Sequence, residues 1–97
     1  MYEIIMSQRA QSHLERIFRY IAKASSPRIA EGYVEAIRAE CQTLSTLPMR
    51  GTDRGAKYRG LRTMGFRHSA TIAFRVSRNN VTIVAVFYRG LNVSDRL

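Results

Sequence analysis

The chain has 97 residues and a formal net charge of +9, with 16 Lys/Arg against 7 Asp/Glu. That length allows one domain, residues 1–97, and an apolar fraction of 45% suits a compact core. No apolar run approaches the roughly 18 residues of a membrane span and no leader pattern is present, which excludes a membrane partner and leads us to expect a cytoplasmic protein.

The segment Tyr2–Met6 is short and apolar and reads as a first strand. Ser7 can cap a helix whose apolar stripe is Ala10, Leu14, Ile17, Phe18 and Ile21, one face of a 3.6-residue period. His13 precedes Leu14 and is assigned to the surface. The helix should stop near Ala24, because Ser25-Ser26-Pro27 follows. Ser26 is a good N-cap and Pro27 suits the first helical position, where a missing N–H costs nothing. The second stripe is Ala30, Tyr33, Val34, Ile37, Cys41, Leu44 and Leu47, ended by Pro48. Two amphipathic helices joined by about three residues form an antiparallel hairpin. Neither has a second apolar face, so both must pack on another layer.

Residues 48–59 contain Gly51, Asp53 and Gly55 and read as a loop. Strands are expected at Leu61–Phe66, Ala70–Val76 and Val81–Tyr88. In the second of these, Ala70, Ile72, Phe74 and Val76 share one face, and Thr71, Ala73 and Arg75 share the other. Arg78-Asn79-Asn80 tolerates positive φ and suits a tight hairpin. Val81–Phe87 is apolar on both faces, as in a central strand. The expected architecture is α+β, a helical hairpin on a small antiparallel-rich sheet.

The single cysteine, Cys41, excludes an intramolecular disulfide and a Cys-based zinc site, and its place on the apolar stripe makes it a structural thiol. No Gly-rich phosphate loop, metal cluster or nucleophile triad is present, so neither cofactor nor metal is expected. The charge is asymmetric. Residues 1–48 hold six Lys/Arg and five Asp/Glu, whereas residues 49–97 hold ten Lys/Arg and only Asp53 and Asp95. Arginine outnumbers lysine 14 to 2. A GC-rich codon bias raises arginine but does not place it in the strands. Arg59, Arg62, Arg67, Arg75 and Arg89 lie on the sheet or its connections, with Arg62 and Arg75 expected to point away from the helices. Such a surface favours an anionic partner: nucleic acid or an acidic protein segment.

Acid–base candidates are His68, Tyr88, Tyr58 and His13. Cleavage of RNA by its own 2′-OH needs a base, an acid and cations at the phosphate. His68 falls in a turn with no obvious carboxylate to orient it. Tyr88 ends the last strand beside Arg89. The tail from Gly90 to Leu97 carries Leu91, Val93 and Leu97 without a regular element.

Several local patterns come in a characteristic order: Ala10-x3-Leu14-x2-Ile17-x2-Tyr20-Ile21-Ala22, then Leu44-x3-Pro48-x2-Gly51, then Gly60-Leu61-Arg62, then Val81–Tyr88 with its tail. Nearly the whole chain thereby resembles the ParE/RelE toxins of bacterial type II toxin–antitoxin systems, whose order of elements is β-α-α-β-β-β. RelE-like members are ribosome-dependent mRNA endonucleases. ParE-like members poison DNA gyrase and have no nuclease chemistry. At the two lysine positions of the RelE pattern this chain has Tyr58 and Gly60. Its arginine positions fall on Arg67 and Arg89, and no tyrosine follows Tyr88 in the tail. The tail is similar to the ParE pattern, with Tyr88 at a histidine position, Leu91 for methionine and Asn92 for aspartate.

The resemblance therefore implies a ParE-like gyrase poison, not an enzyme, neutralised by a ParD-like antitoxin with an acidic tail. Target binding would fall to Arg62, Arg67, Arg75, Tyr88, Arg89, Leu91 and Asn92. A RelE-like reading would place Arg62, Arg67 and Arg89 at the scissile phosphate, with His68 or Tyr88 moving protons. A third reading is an inactive module that binds only antitoxin or nucleic acid.

Overall fold

The structure is a computed structural model and describes residues 1–89 and Leu91. Its elements are β1 (Glu3–Met6), α1 (Gln8–Ala24), α2 (Pro27–Gln42), β2 (Thr52–Asp53), β3 (Leu61–Phe66), β4 (Ala70–Val76) and β5 (Asn80–Tyr88), with a short 3-10 turn at Thr43–Ser45. The five strands form one sheet in the order β1-β5-β4-β3-β2. β1 runs parallel to β5 and every other pairing is antiparallel. The two helices cover one face. This is the expected α+β sandwich, with one strand more than expected: the two-residue β2 lies inside the segment read as a loop.

Both helices start where their caps predict. Ser7 Oγ accepts from Ala10 N at 3.0 Å, and Ser26 Oγ accepts from Ile29 N at 3.1 Å, with Pro27 in the first turn. Each such cap contributes about 1 kcal/mol. Ala10, Leu14, Ile17 and Ile21 of α1 and Ala30, Val34, Ile37 and Cys41 of α2 are buried in one core. The sheet meets them with Met64, Phe66, Ile72, Phe74, Val81, Ile83 and Val86. Gly51 adopts φ 78°, and a Cβ there would lie 2.2 Å from the Thr63 carbonyl oxygen. Only glycine lets the chain approach β3 closely enough to pair as β2.

Four expectations change. α2 stops at Gln42 rather than running to Leu47. Thr43 Oγ1 donates to the Glu40 carbonyl at 2.6 Å, and the helix tightens into the 3-10 turn. Leu44 stays buried, whereas Leu47 is 60% exposed. The β4–β5 hairpin closes without positive φ at Asn79 or Asn80. Ser77 N donates to the Asn80 carbonyl, and Ser77 Oγ is 2.6 Å from Asn80 Oδ1. Arg62 lies opposite Phe74 on the helix-side face of the sheet, so it does not point away from the helices. His13 is not on the surface: it is buried, and its Nδ1 accepts from Val86 N at 3.1 Å.

The face away from the helices is not a bare charged surface either. Leu61, Ala73 and Ala85 form a second small apolar cluster there, flanked by Tyr58, Val84 and Phe87. The β4–β5 register shifts at the Ala73–Phe74 step, which leaves Val84 as the extra residue of β5. This bulge turns Ala85 and Phe87 to the outer face and Val86 to the core.

Replacing His13 by leucine should cost about 1–3 kcal/mol in chemical denaturation, because the buried Val86 N–H loses its acceptor while volume is kept. Unchanged stability would mean that this hydrogen bond contributes nothing net. Burial, with Glu40 adding to it, pushes the Cys41 thiol from its ordinary 9.0 to about 12. The folded chain therefore holds that proton where the unfolded chain releases it, and stability should fall as pH rises above about 9. At pH 8 an aromatic disulfide reagent should label Cys41 only after denaturant is added; immediate labelling of the native chain would contradict this burial.

Candidate functional site

The predicted site residues separate into two groups at opposite ends of the sheet. Arg67, His68, Tyr88, Arg89 and Leu91 converge where β3 turns into β4 and β5 ends. The turn Phe66–Ser69 is closed by Ser69 N donating to the Phe66 carbonyl at 3.0 Å. Its central residues, Arg67 and His68, have φ 50° and 57°. Both lie in the left-handed region that side chains resist, a strain of about 1–2 kcal/mol each. Arg89 N donates to the Ser69 carbonyl at 2.8 Å, which fixes the end of β5 beside the turn.

An aromatic cluster anchors this end to the helices. Tyr33 of α2 packs edge-on against Phe66 and Tyr88, with 5.5 Å between centroids in each pair, and Tyr20 of α1 meets Tyr88 at 5.7 Å. The Tyr33 hydroxyl lies 2.5 Å from Ser69 Oγ and so ties the turn to α2. Burial raises the Tyr33 pKa, opposed by the Ser69 hydrogen bond, so its hydroxyl keeps its proton at neutral pH. Arg67 places its guanidinium 5.0 Å from the centroid of Phe66. Arg67, His68 and Arg89 are exposed. Tyr88 is half-buried among the aromatic rings and is not poised toward solvent chemistry. Leu91 N donates to the Tyr88 carbonyl at 3.0 Å, and Leu91 packs on the main core. Asn92 and the tail segment 92–97, like Gly90, lie outside the described residues.

The second group is structural or distant. Arg62 donates from Nε to the Arg50 carbonyl and from Nη2 to the Met49 carbonyl, both at 2.9 Å. Its Nη1 is 3.9 Å from Asp53 Oδ2, and the side chain is only 15% exposed. It clasps the segment before β2 to the sheet. Arg75 stands on the outer face and donates from Nε to the Arg59 carbonyl at 3.3 Å. Arg62 and Arg67 are five steps apart along β3, about 16 Å.

Sequence reasoning missed two features. Tyr33 was read as part of an apolar stripe, although a tyrosine there also brings a hydroxyl that needs a partner. The outer-face cleft beside Tyr58 and Phe87, of about 620 Å³, had no linear motif. Among the described residues no three His, Cys, Asp or Glu side chains converge, and no carboxylate pairs with His68. The groups gathered at the Arg67–Arg89 end are two guanidinium groups, hydroxyls, aromatic rings and the imidazole of His68.

The family model for the ParE toxin of type II toxin–antitoxin systems (parDE) matches residues 4–92. Among solved structures, the chain is similar to one described as the chromosomal ParDE TA system from P. aeruginosa. The TM-score is 0.80 at 20% identity, covering 91% of this chain and 96% of that one, and at such identity the likeness is one of fold. No curated relative matches the sequence.

His68→Gly should raise stability by about 0.5–1 kcal/mol, because relief of left-handed strain exceeds the added entropy of the unfolded chain. Chemical denaturation of the variant beside the parent checks this. A loss of stability would show that the imidazole makes a contact stronger than the strain.

Proposed function

The chain belongs to the ParE toxins of type II toxin–antitoxin systems, and on that premise we propose that it inhibits DNA gyrase and is held silent by a ParD-like antitoxin in the cytoplasm. Arg67, on the turn that the Tyr33–Ser69 hydrogen bond ties to α2, and Arg89, beside it at the end of β5, are the cations we assign to target binding. Preorganised guanidinium groups lose little entropy on meeting carboxylate or phosphate. Leu91 lies at this same end, and residues 92–97, with Asn92 among them, are assigned to the target as well. An acidic antitoxin segment complements the strongly basic second half of the chain.

The observation that carries the gyrase reading over an mRNA endonuclease is the separation of Arg62 from Arg67 and Arg89. A nuclease of the kind considered needs all three at one phosphate. Here Arg62 is occupied by two carbonyl groups at the other end of β3. Tyr88 is packed between Tyr20 and Tyr33, and His68 has no orienting carboxylate among the described residues. On this reading the chain carries no nuclease chemistry of its own.

The test combines purified gyrase, ATP, supercoiled plasmid and the full chain, beside a translation extract probed for mRNA cuts. Linearised plasmid that requires gyrase, with intact mRNA, is the expected outcome. Arg67→Ala with Arg89→Ala should lower the yield of linear plasmid at least about tenfold, as expected for loss of a charge-assisted hydrogen bond, without lowering the melting temperature. Arg62→Ala should do the reverse, destabilising the fold by about 1 kcal/mol through the loss of two hydrogen bonds, one of them partly buried, with the yield of linear plasmid unchanged. Cut mRNA with untouched gyrase would overturn the reading, and harmless expression without any antitoxin would favour an inactive binding module.

A further inference from the structure

The outer face of the sheet carries a groove that the gyrase reading touches only at Arg89. One cleft of about 620 Å³ is lined by Asp53, Arg54, Lys57, Tyr58, Thr63, Thr71 and Phe87, among others. A second, of about 380 Å³, is lined by His68, Ser69, Thr71, Phe87 and Arg89 among others. The two share Thr71 and Phe87 and so adjoin on the outer face across β3, β4 and β5. The aromatic members of this groove are Tyr58 and Phe87, both packed against the small apolar cluster of Leu61, Ala73 and Ala85.

Charge lies at both ends and over the rings. Lys57 Nζ is 5.4 Å from the Tyr58 centroid, and Arg9 Cζ is 5.8 Å from the Phe87 centroid. Arg54 is held in place by its Nε donating to Thr63 Oγ1 at 2.9 Å. Arg89 sits at the far end. Asp53 is the one acid lining the larger cleft, and its carboxylate already accepts from Gly55 N and lies near Arg62.

We propose that this groove binds single-stranded nucleic acid, with bases against Tyr58 and Phe87 and phosphates at Arg54, Lys57 and Arg89. Every base has a π face, so half-buried aromatic rings between cations hold a strand without reading its sequence. A duplex hides those faces within its own stack. An acidic peptide would match the charge, but it gains no main-chain hydrogen bonds here. β4 has both edges paired, as has β3 at Thr63, so this stretch of the face offers only side chains. The inference goes beyond the gyrase reading and stands without it.

Fluorescence anisotropy tests the proposal with no gyrase or ribosome present. The probes are labelled oligo-dT and oligo-rU of about 12 nucleotides, a duplex of equal length and a glutamate-rich peptide, each titrated with the full chain near physiological salt. Both single strands should bind at least about tenfold tighter than the duplex or the peptide. Tyr58→Leu keeps the charge and removes the ring, and should weaken single-strand binding about five- to a hundredfold while leaving duplex binding unchanged; Tyr58→Phe should restore it. Lys57→Ala, at an exposed position where folding is not at stake, should reduce the slope of log affinity against log salt by about 0.7. If Tyr58→Leu folds and binds single strands like the parent, attraction is by charge alone and the proposal fails. Equal or tighter binding of duplex or peptide overturns it too.

Discussion

The constraint on which the sheet depends is the edge of β5 beyond Ile83. β1 pairs with β5 only from Asn80 to Ile83. Past that point a strand this apolar would expose unpaired N–H and C=O groups, which is costly in a core and an invitation to aggregation. The start of α1 closes the gap. Ser7 N donates to the Ile83 carbonyl, Ser7 Oγ donates to the Val84 carbonyl while accepting from Ala10 N, and His13 Nδ1 accepts from Val86 N. One serine therefore caps the helix and completes the sheet. His13 does what a neighbouring strand's carbonyl would do, which requires an unprotonated Nδ1. With its edge satisfied by a helix, β5 runs on to Tyr88 and carries Arg89 to the candidate site.

The arginines of the second half are not one surface. Some are spent inside the fold. Arg62 holds two carbonyl groups, and Arg50 pairs with Glu40 and Thr43. The Arg50–Glu40 pair is about one-third exposed on each side and contributes little to stability. Arg67 and Arg89 are different in kind. They stand exposed at the end of the sheet, and the structure holds Arg67 in a conformation that ordinary side chains avoid. Strain of this sort persists only where surrounding contacts over-determine it. The Tyr33–Ser69 hydrogen bond and the rings of Phe66 and Tyr88 are those contacts here.

Much of this was legible in the residues. Ser7 and Ser26-Pro27 marked the helix starts, and the stripes marked the faces, because capping and burial act locally. The bounds of β3 and β4 followed from alternation and turn residues. Arg62 was misplaced because β3 has no single apolar parity: Leu61 lies on one face while Met64 and Phe66 lie on the other. His13 falls three residues after Ala10 and four before Ile17, so its spacing did put it in the stripe. Its polarity hid this, since nothing local announces that Val86, 73 residues away, needs an acceptor. β2 is two residues long and exists only because Gly51 allows close approach to β3. The candidate site was half legible for the same reason. Arg67 and Arg89 were found by type, whereas Tyr33 and the outer groove depend on which elements the topology brings together.

The two surfaces assigned to partners meet at Arg89. It ends β5 beside the strained turn, and it also lines the outer groove next to Phe87. An anion held at one surface lowers the positive potential available to the other. If both assignments hold, binding at the two is thermodynamically linked, and the linkage is reciprocal. Its sign follows from the kind of partner. Two separate anionic partners compete for the same guanidinium group, whereas one nucleic acid already held by the protein target can lie along the groove and engage both surfaces at once. In the second case the strand adds to the protein contact as a linked site, and the gain depends on geometry more than on the strength of either contact alone.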